Sequence, residues 1–217
     1  KENPPRKGYQ EAIEAFKLFY DKHPEARMFF HTQQVSPHGF PIKELTKHLG
    51  IGDKCFYIDD YRGSFNSRSQ DIAEEINCFD VLLHPSQTEG FGLLPIEAMA
   101  CGVPPIVTNT TAMPEMIIPG VTGEIAKTDR HRFTPDATWV WTADVEDIYN
   151  CMERLYEKLH QKDNTIVKDC RDHVLKNFDI DKLFVEKWVP MLNQLQEELL
   201  PNLTQLPKES KIQPASS

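Results

Sequence analysis

Glu89 and Glu97 bracket a short glycine-bearing run, Glu89-Gly90-Phe91-Gly92-Leu93-Leu94-Pro95-Ile96-Glu97. An apolar stretch, residues 81–84, leads into it through Pro85. A buried strand that feeds a glycine loop, which feeds straight into a helix, leaves backbone N–H groups exposed at the helix N-terminus. That arrangement suits a phosphate. Pro95 fits the first helical turn, where a missing N–H costs little. The two carboxylates would repel a phosphate, but each can accept hydrogen bonds from hydroxyls. A ligand with phosphate in its middle and hydroxyls on both sides matches the pattern, and a nucleotide sugar is such a ligand. Taken singly the signals are weak. Two glycines occur in many loops, and a lone Glu97 is more often a solvated helix residue or a partner of the helix dipole. The dinucleotide fingerprint fails, because Pro95 stands where its third glycine belongs. The chain has no Gly-Lys-Ser/Thr phosphate loop and no Gly-x-Ser-x-Gly nucleophile elbow.

The elements that must hold this loop alternate along the chain. Tyr9, Ala12, Ile13, Phe16, Phe19 and Tyr20 recur at helical spacing, and Pro24 ends that helix. Residues 26–31 read as a buried strand. Ile42, Leu45 and Leu49 mark a short helix with Gly50 as its stop. Residues 55–59 form a second strand. Ser67-Arg68-Ser69-Gln70 has capping-box spacing before a helix bearing Ile72 and Ile76. Strands at 81–84, 105–108 and, more weakly, 123–126 enclose a helix over 94–100 that Gly102 stops. Short strands alternating with helices predict an α/β domain, Rossmann-like, with a parallel sheet and helices on both faces. In such a sheet ligands bind beyond the carboxyl ends of the strands. Those ends open the loops near Thr32, Asp60, Pro85 and Asn109.

After residue 143 the chain turns helical. Ile148, Met152, Leu155 and Leu159 form one stripe, residues 166–176 a second helix. Leu183, Trp188, Leu192, Leu195 and Leu199 suggest a third, with Pro190 kinking or splitting it. The expected organisation is a ligand-binding domain over 1–180, a helix over 181–200 and a disordered tail over 201–217.

Composition narrows the classes. The 217 residues carry 24 Lys and Arg against 33 Asp and Glu, a formal charge of −9, which argues against nucleic acid as a partner. No apolar run is long enough to span a membrane. The chain starts at Lys1, and no signal peptide is legible there. Five cysteines without a Cys-x-x-Cys pair read as reduced core residues of a cytoplasmic protein, not as a metal site. His84, at a strand end, is expected to be structural. Trp139, Trp141 and Trp188 are expected to pack.

The run from Asp80 to Gly123 resembles the donor-binding domain of retaining GT-B glycosyltransferases, the glycosyltransferase group 1 family with paired glutamates. Asp80-Val81-Leu82-Leu83-His84-Pro85-Ser86 resembles its strand, and Glu97-Ala98-Met99-Ala100-Cys101-Gly102-Val103-Pro104 its helix and turn. Pro114-Glu115-Met116-Ile117 and Gly120-Val121-Thr122-Gly123 resemble the segment that follows, and Arg6-Lys7-Gly8 the domain's start. The resemblance spans about residues 3–190. It implies one lobe of a GT-B fold with a helical C-terminal extension. It also implies roles. Glu89 would hold hydroxyls of the donor sugar. Gly90, Phe91 and Gly92 would face the sugar and distal phosphate, and Leu93 and Leu94 would offer N–H groups to the diphosphate. Glu97 would bind the ribose, and Lys7 would neutralise the diphosphate. Ile58, Asp59 and Asp60 would contact the base.

One position departs from the family pattern. Glu2 stands where the family carries a second phosphate-binding arginine, so Arg6 or Lys1 would have to supply that charge. The family's first strand would precede Lys1, near the middle of the sheet, leaving a gap or exposed edge. The expected function is donor binding in a retaining transferase that uses no cofactor or metal. The acceptor, and any membrane contact, would belong to a partner lobe, and this chain alone would be inactive. Two alternatives keep the α/β fold. One is a nucleotide-sugar-binding module without transfer activity. The other is a flavodoxin-like signalling domain with Asp59 or Asp60 as phosphoacceptor, which leaves the paired glutamates unexplained.

Overall fold

Strand pairing and helix stops follow the local chemistry of the chain in a computed structural model that describes residues 4–32, 39–58, 68–135 and 137–203. Helix α1 (Tyr9–Lys22) buries Ala12, Ile13, Ala15, Phe16 and Phe19, spaced so that they share one face. Strand β1 (Met28–Phe30) pairs in parallel with β2 (Cys55–Tyr57), Met28 opposite Cys55 and Phe30 opposite Tyr57. Between them lies α2 (Ile42–His48), closed by Gly50 at φ +70°. Helix α3 (Ser69–Ile76) starts one residue later than the capping-box spacing predicts. Asp71 reaches back to accept from the Arg68 N–H at 2.9 Å and pairs with the Arg68 guanidinium at 2.9 Å. Ser67 lies outside the described residues.

The second parallel set is β3 (Leu82–His84), β4 (Pro105–Thr108) and β5 (Glu124–Ala126), in that order. His84 stands opposite Val107, and Thr108 opposite Ala126. Helix α4 (Leu93–Ala100) connects β3 to β4. It packs through Ala98 against Ile76 and Val103, with Phe79, Leu82 and Cys101 around them. Helix α5 (Val145–Leu159) begins at Asp144, whose carboxylate accepts from the Asp147 N–H at 2.8 Å. Its Tyr156 meets Phe19 of α1 edge-on, and its Glu153 pairs with Lys22 and His23. Helix α6 (Ile166–Asn177) buries Ile166, Cys170 and Val174.

The expected alternation is present, with corrections. The five parallel strands form two sheets rather than one. Among the described residues β1 bonds to β2 alone, and β3 bonds to β4 alone. The region before residue 143 also holds an antiparallel ribbon that the sequence reading does not foresee, β6 (Thr128–Phe133) with β7 (Trp139–Ala143). Trp139 and Trp141 lie on it and are exposed rather than packed into a core, at 52% and 38%. Their side of the ribbon forms a ladder of rings, with Trp139 against His131 and Phe133. Cys55, Cys151 and Cys170 are buried as expected, whereas Cys78 is exposed. Burial pushes the Cys151 and Cys170 thiols up to about 12.

Chain contacts divide the protein into a unit through Leu175 and a second from Lys176. In the second, Asp179 accepts from the N–H groups of Asp181 and Lys182 and starts α7 (Ile180–Leu183). A π-helical turn, Phe184–Trp188, leads into α8 (Val189–Leu203). Pro190 is the second residue of α8, directly after that π-helical turn. Its missing N–H and bulky ring are accommodated by the wider turn just before it. Helix α8 runs to Leu203, past the expected tail boundary, and residues 204–217 lie outside the described residues. Trp188 is exposed here too. No helix among the described residues is long and apolar enough to cross a membrane.

Candidate functional site

The loop from His84 to Gly92 is built from its two ends. His84, Pro85, Ser86 and Gln87 are all buried where β3 runs out. The N-terminal turn Pro5–Lys7 lies directly on this segment. Gly8, at φ +70°, allows that approach, since a Cβ there would sit 2.0 Å from the Pro85 carbonyl oxygen. The Gln87 N–H donates to the Arg6 carbonyl at 2.8 Å, and the Arg6 guanidinium reaches the Thr88 carbonyl at 3.4 Å. From β4's side, the Thr111 hydroxyl accepts from the Glu89 N–H at 3.1 Å. Thr111 holds φ +51°, a strained value for a β-branched residue.

Glu89 is thereby set among hydrogen-bond donors. Lys7 Nζ donates to its Oε1 at 2.5 Å, His84 Nε2 lies 3.4 Å away and the Arg6 guanidinium 3.7 Å away. Ser86 Oγ is 3.4 Å from His84 Nε2. The hydrogen bond from His84 holds the Glu89 carboxyl well below the usual carboxylate range, against the opposing effect of burial and with help from Lys7 and Ser86. A carboxylate fixed this way stays ionised and can accept from ligand hydroxyls. Lys7 keeps two further N–H bonds on its ammonium for an anion beside it.

At the other end, Gly92 takes φ +94°, and a Cβ there would come 2.8 Å from Met116 Cε. It is the N-cap of α4 and offers no side-chain cap. The amides of Leu93 and Leu94 therefore begin the helix without side-chain acceptors, and both side chains are exposed. Gly90 and Phe91 are exposed on the loop, and Glu97 is exposed one turn into α4. The structure thus brings Arg6, Lys7 and Glu89 together at the end of β3, with Gly90, Phe91, Gly92, Leu93 and Leu94 continuing the same loop. Ile58 sits in the other sheet, after β2, where its N–H donates to the Phe30 carbonyl at 3.1 Å. Asp59 and Asp60 lie outside the described residues. His84 is buried, but it contacts Glu89 directly and so belongs to the site. Sequence reasoning also passed over Ser86, Gln87, Thr111 and Arg132. Ser86, Gln87 and Thr111 had a signal, their place just past a strand's carboxyl end, and Arg132 had none.

A parallel α/β domain with a phosphate-suited helix start and hydroxyl-suited carboxylates defines a class, and known structures share its fold. The C-terminal domain of LpcC, a glycosyl transferase group 1 family protein of Francisella tularensis, superposes with a TM-score of 0.65 at 22% identity, over 82% of this chain and 83% of that one. Anabaena HepE, solved with UDP, gives 0.61 at 19% identity over 95% of this chain and 47% of that one. The profile of the glycosyl transferases group 1 family matches residues 2–133, more than half of the chain, and the chain belongs to that family. Among curated relatives, N-acetyl-alpha-D-glucosaminyl L-malate synthase of Bacillus anthracis is 31% identical over 121 residues, 56% of this chain. That match spans only 30% of the relative's length.

Proposed function

We propose that this chain is the donor-binding half of a retaining glycosyltransferase and takes a nucleoside-diphosphate sugar at the β3–α4 loop. The observation that carries this reading is the contact between Lys7 and Glu89, 82 residues apart in sequence, beside the uncapped start of α4. Cation, carboxylate and free amides converge on one loop. Lys7 and the amides of Gly92, Leu93 and Leu94 offset the negative charge that builds on the departing diphosphate. Glu89 accepts from sugar hydroxyls, and Glu97 accepts from the ribose. HepE, of the same fold, has been solved with UDP and with UDP-glucose, which supports a nucleotide sugar as ligand. The acceptor is held by a partner lobe, and these residues alone transfer nothing at a useful rate, because transfer needs donor and acceptor in one closed cleft. Glu2, in place of a second phosphate-binding cation, favours one competing reading, a nucleotide-sugar binder without transfer activity.

Calorimetry of the purified chain with UDP, GDP, ADP and their glucose or mannose derivatives tests the reading. Binding of one nucleoside diphosphate and its sugar is expected, and no binding across the panel would reject it. Assays for sugar transfer in the protein containing this chain and its partner lobe then separate the transferase from the pure binder.

A further inference from the structure

The donor chemistry above makes no use of the β6–β7 ribbon, yet the ribbon touches the site loop. Arg132 on β6 donates from its guanidinium to Gln87 Oε1 at 3.3 Å. Arg132 is itself exposed, but through its pairing it shares the inner ribbon face with Val140, which is only 5% exposed. The opposite face carries the exposed rings of Phe133, Trp139 and Trp141. Arg130, a neighbour on the inner face, is engaged by Asp129 at 3.0 Å. Gln87 itself is buried, and its backbone N–H donates to the Arg6 carbonyl. Its side-chain oxygen needs a donor in that setting, and Arg132 supplies a charged one. Gln87 therefore ties the Arg6–Lys7 segment, the ribbon and the turn that ends two residues later at Glu89.

We propose that Arg132 is a positioning residue of the donor site. Through the Gln87 amide it holds the 86–89 turn, and with it the Lys7–Glu89 pair, in the geometry that receives the donor. This inference rests on the nucleotide-sugar reading for its functional consequence, but its structural core does not depend on a ligand. A guanidinium from a strand more than forty residues downstream makes the site's order depend on an element outside the β3–α4 unit.

Amide hydrogen exchange and calorimetry on Arg132→Ala, Gln87→Ala, the double variant and Arg132→Lys test it. In the ligand-free chain, Arg132→Ala should speed exchange in peptides covering residues 85–92 at least about fivefold while leaving α1 and α5 unchanged. Affinity for UDP-glucose, or for GDP-mannose if the panel above selects it, should fall about three- to tenfold in each single variant. The double variant should lose no more than either single one, since both act through one contact. Arg132→Lys should recover part of the loss. Unchanged loop exchange overturns the proposal, and so do additive losses or unchanged affinity in a chain that binds the donor. If the wild-type chain binds no nucleotide sugar, the donor reading fails, and the exchange result alone decides whether Arg132 holds the turn.

Discussion

The two carboxylates that bracket the glycine loop live in opposite surroundings. Glu89 has 14% of its side chain exposed and is surrounded by Lys7, His84 and Arg6, with its own N–H held by Thr111. Glu97 stands in solvent on α4, beyond a helix start that no side chain caps. Under the proposed donor reading, the Glu89 half is already assembled in the protein, and the Glu97 half is left for the donor to complete. The physical reason is the company each keeps. A carboxylate at a buried strand end must be paired, because desolvated charge is costly. Helix-terminal amides at the surface are already satisfied by water and can exchange it for phosphate oxygens.

That contrast can be broken most forcefully at Gly8. An alanine there would overlap the Pro85 carbonyl and hold an unfavourable positive φ. Gly8→Ala should destabilise the fold by about 1–3 kcal/mol from backbone strain alone, with the overlap adding to it. Denaturant unfolding reads this directly, and unchanged stability would mean that residues 6–8 do not dock on β3. Lys7→Ala comes next. It should weaken binding of the nucleoside diphosphate by about 1.5–3 kcal/mol, the range for charged hydrogen bonds, measured by calorimetry.

Glu97→Ala sharpens the comparison from the open side. It should cost a similar amount of affinity while moving stability by no more than about 0.5 kcal/mol, as for an exposed surface residue. A large stability loss would show that Glu97 supports α4 rather than the ligand. The smallest effect is expected from Glu89→Gln, in the pH dependence of stability. The Glu89 carboxyl is depressed below its ordinary value of 4.5 in the folded protein. Its stabilising contribution is full above that value and is lost as pH falls toward the folded-state value. Gln cannot titrate at this position, so below about pH 5 the variant's stability should fall less steeply than wild type, with the two curves parallel above it. Curves that stay parallel below it as well would remove Glu89 from the paired cluster.

Much of this molecule was legible residue by residue. The strands at Leu82–His84 and Pro105–Thr108 announce themselves as short apolar runs between turn residues. Gly50 and Gly102 mark helix ends because only glycine enters the left-handed region there without strain. The ribbon was missed for a physical reason. Thr128–Phe133 is polar, with no alternation strong enough to signal a strand, and its pairing depends on Trp139–Ala143 across a turn. Pro135-Asp136 between two β-prone stretches was the available signal.

The sequence by itself determined the order of the parallel strands and the main helices, the phosphate-suited start of α4 and the family pattern, because each rests on neighbours within a turn or two. Tertiary structure alone decided that Lys7 meets Glu89, that His84 turns into the site, and that Arg132 reaches Gln87. It also decided that the parallel strands form two sheets. Those contacts join residues dozens of positions apart or depend on which way a buried side chain turns. Packing sets their geometry, and local propensity carries no record of it.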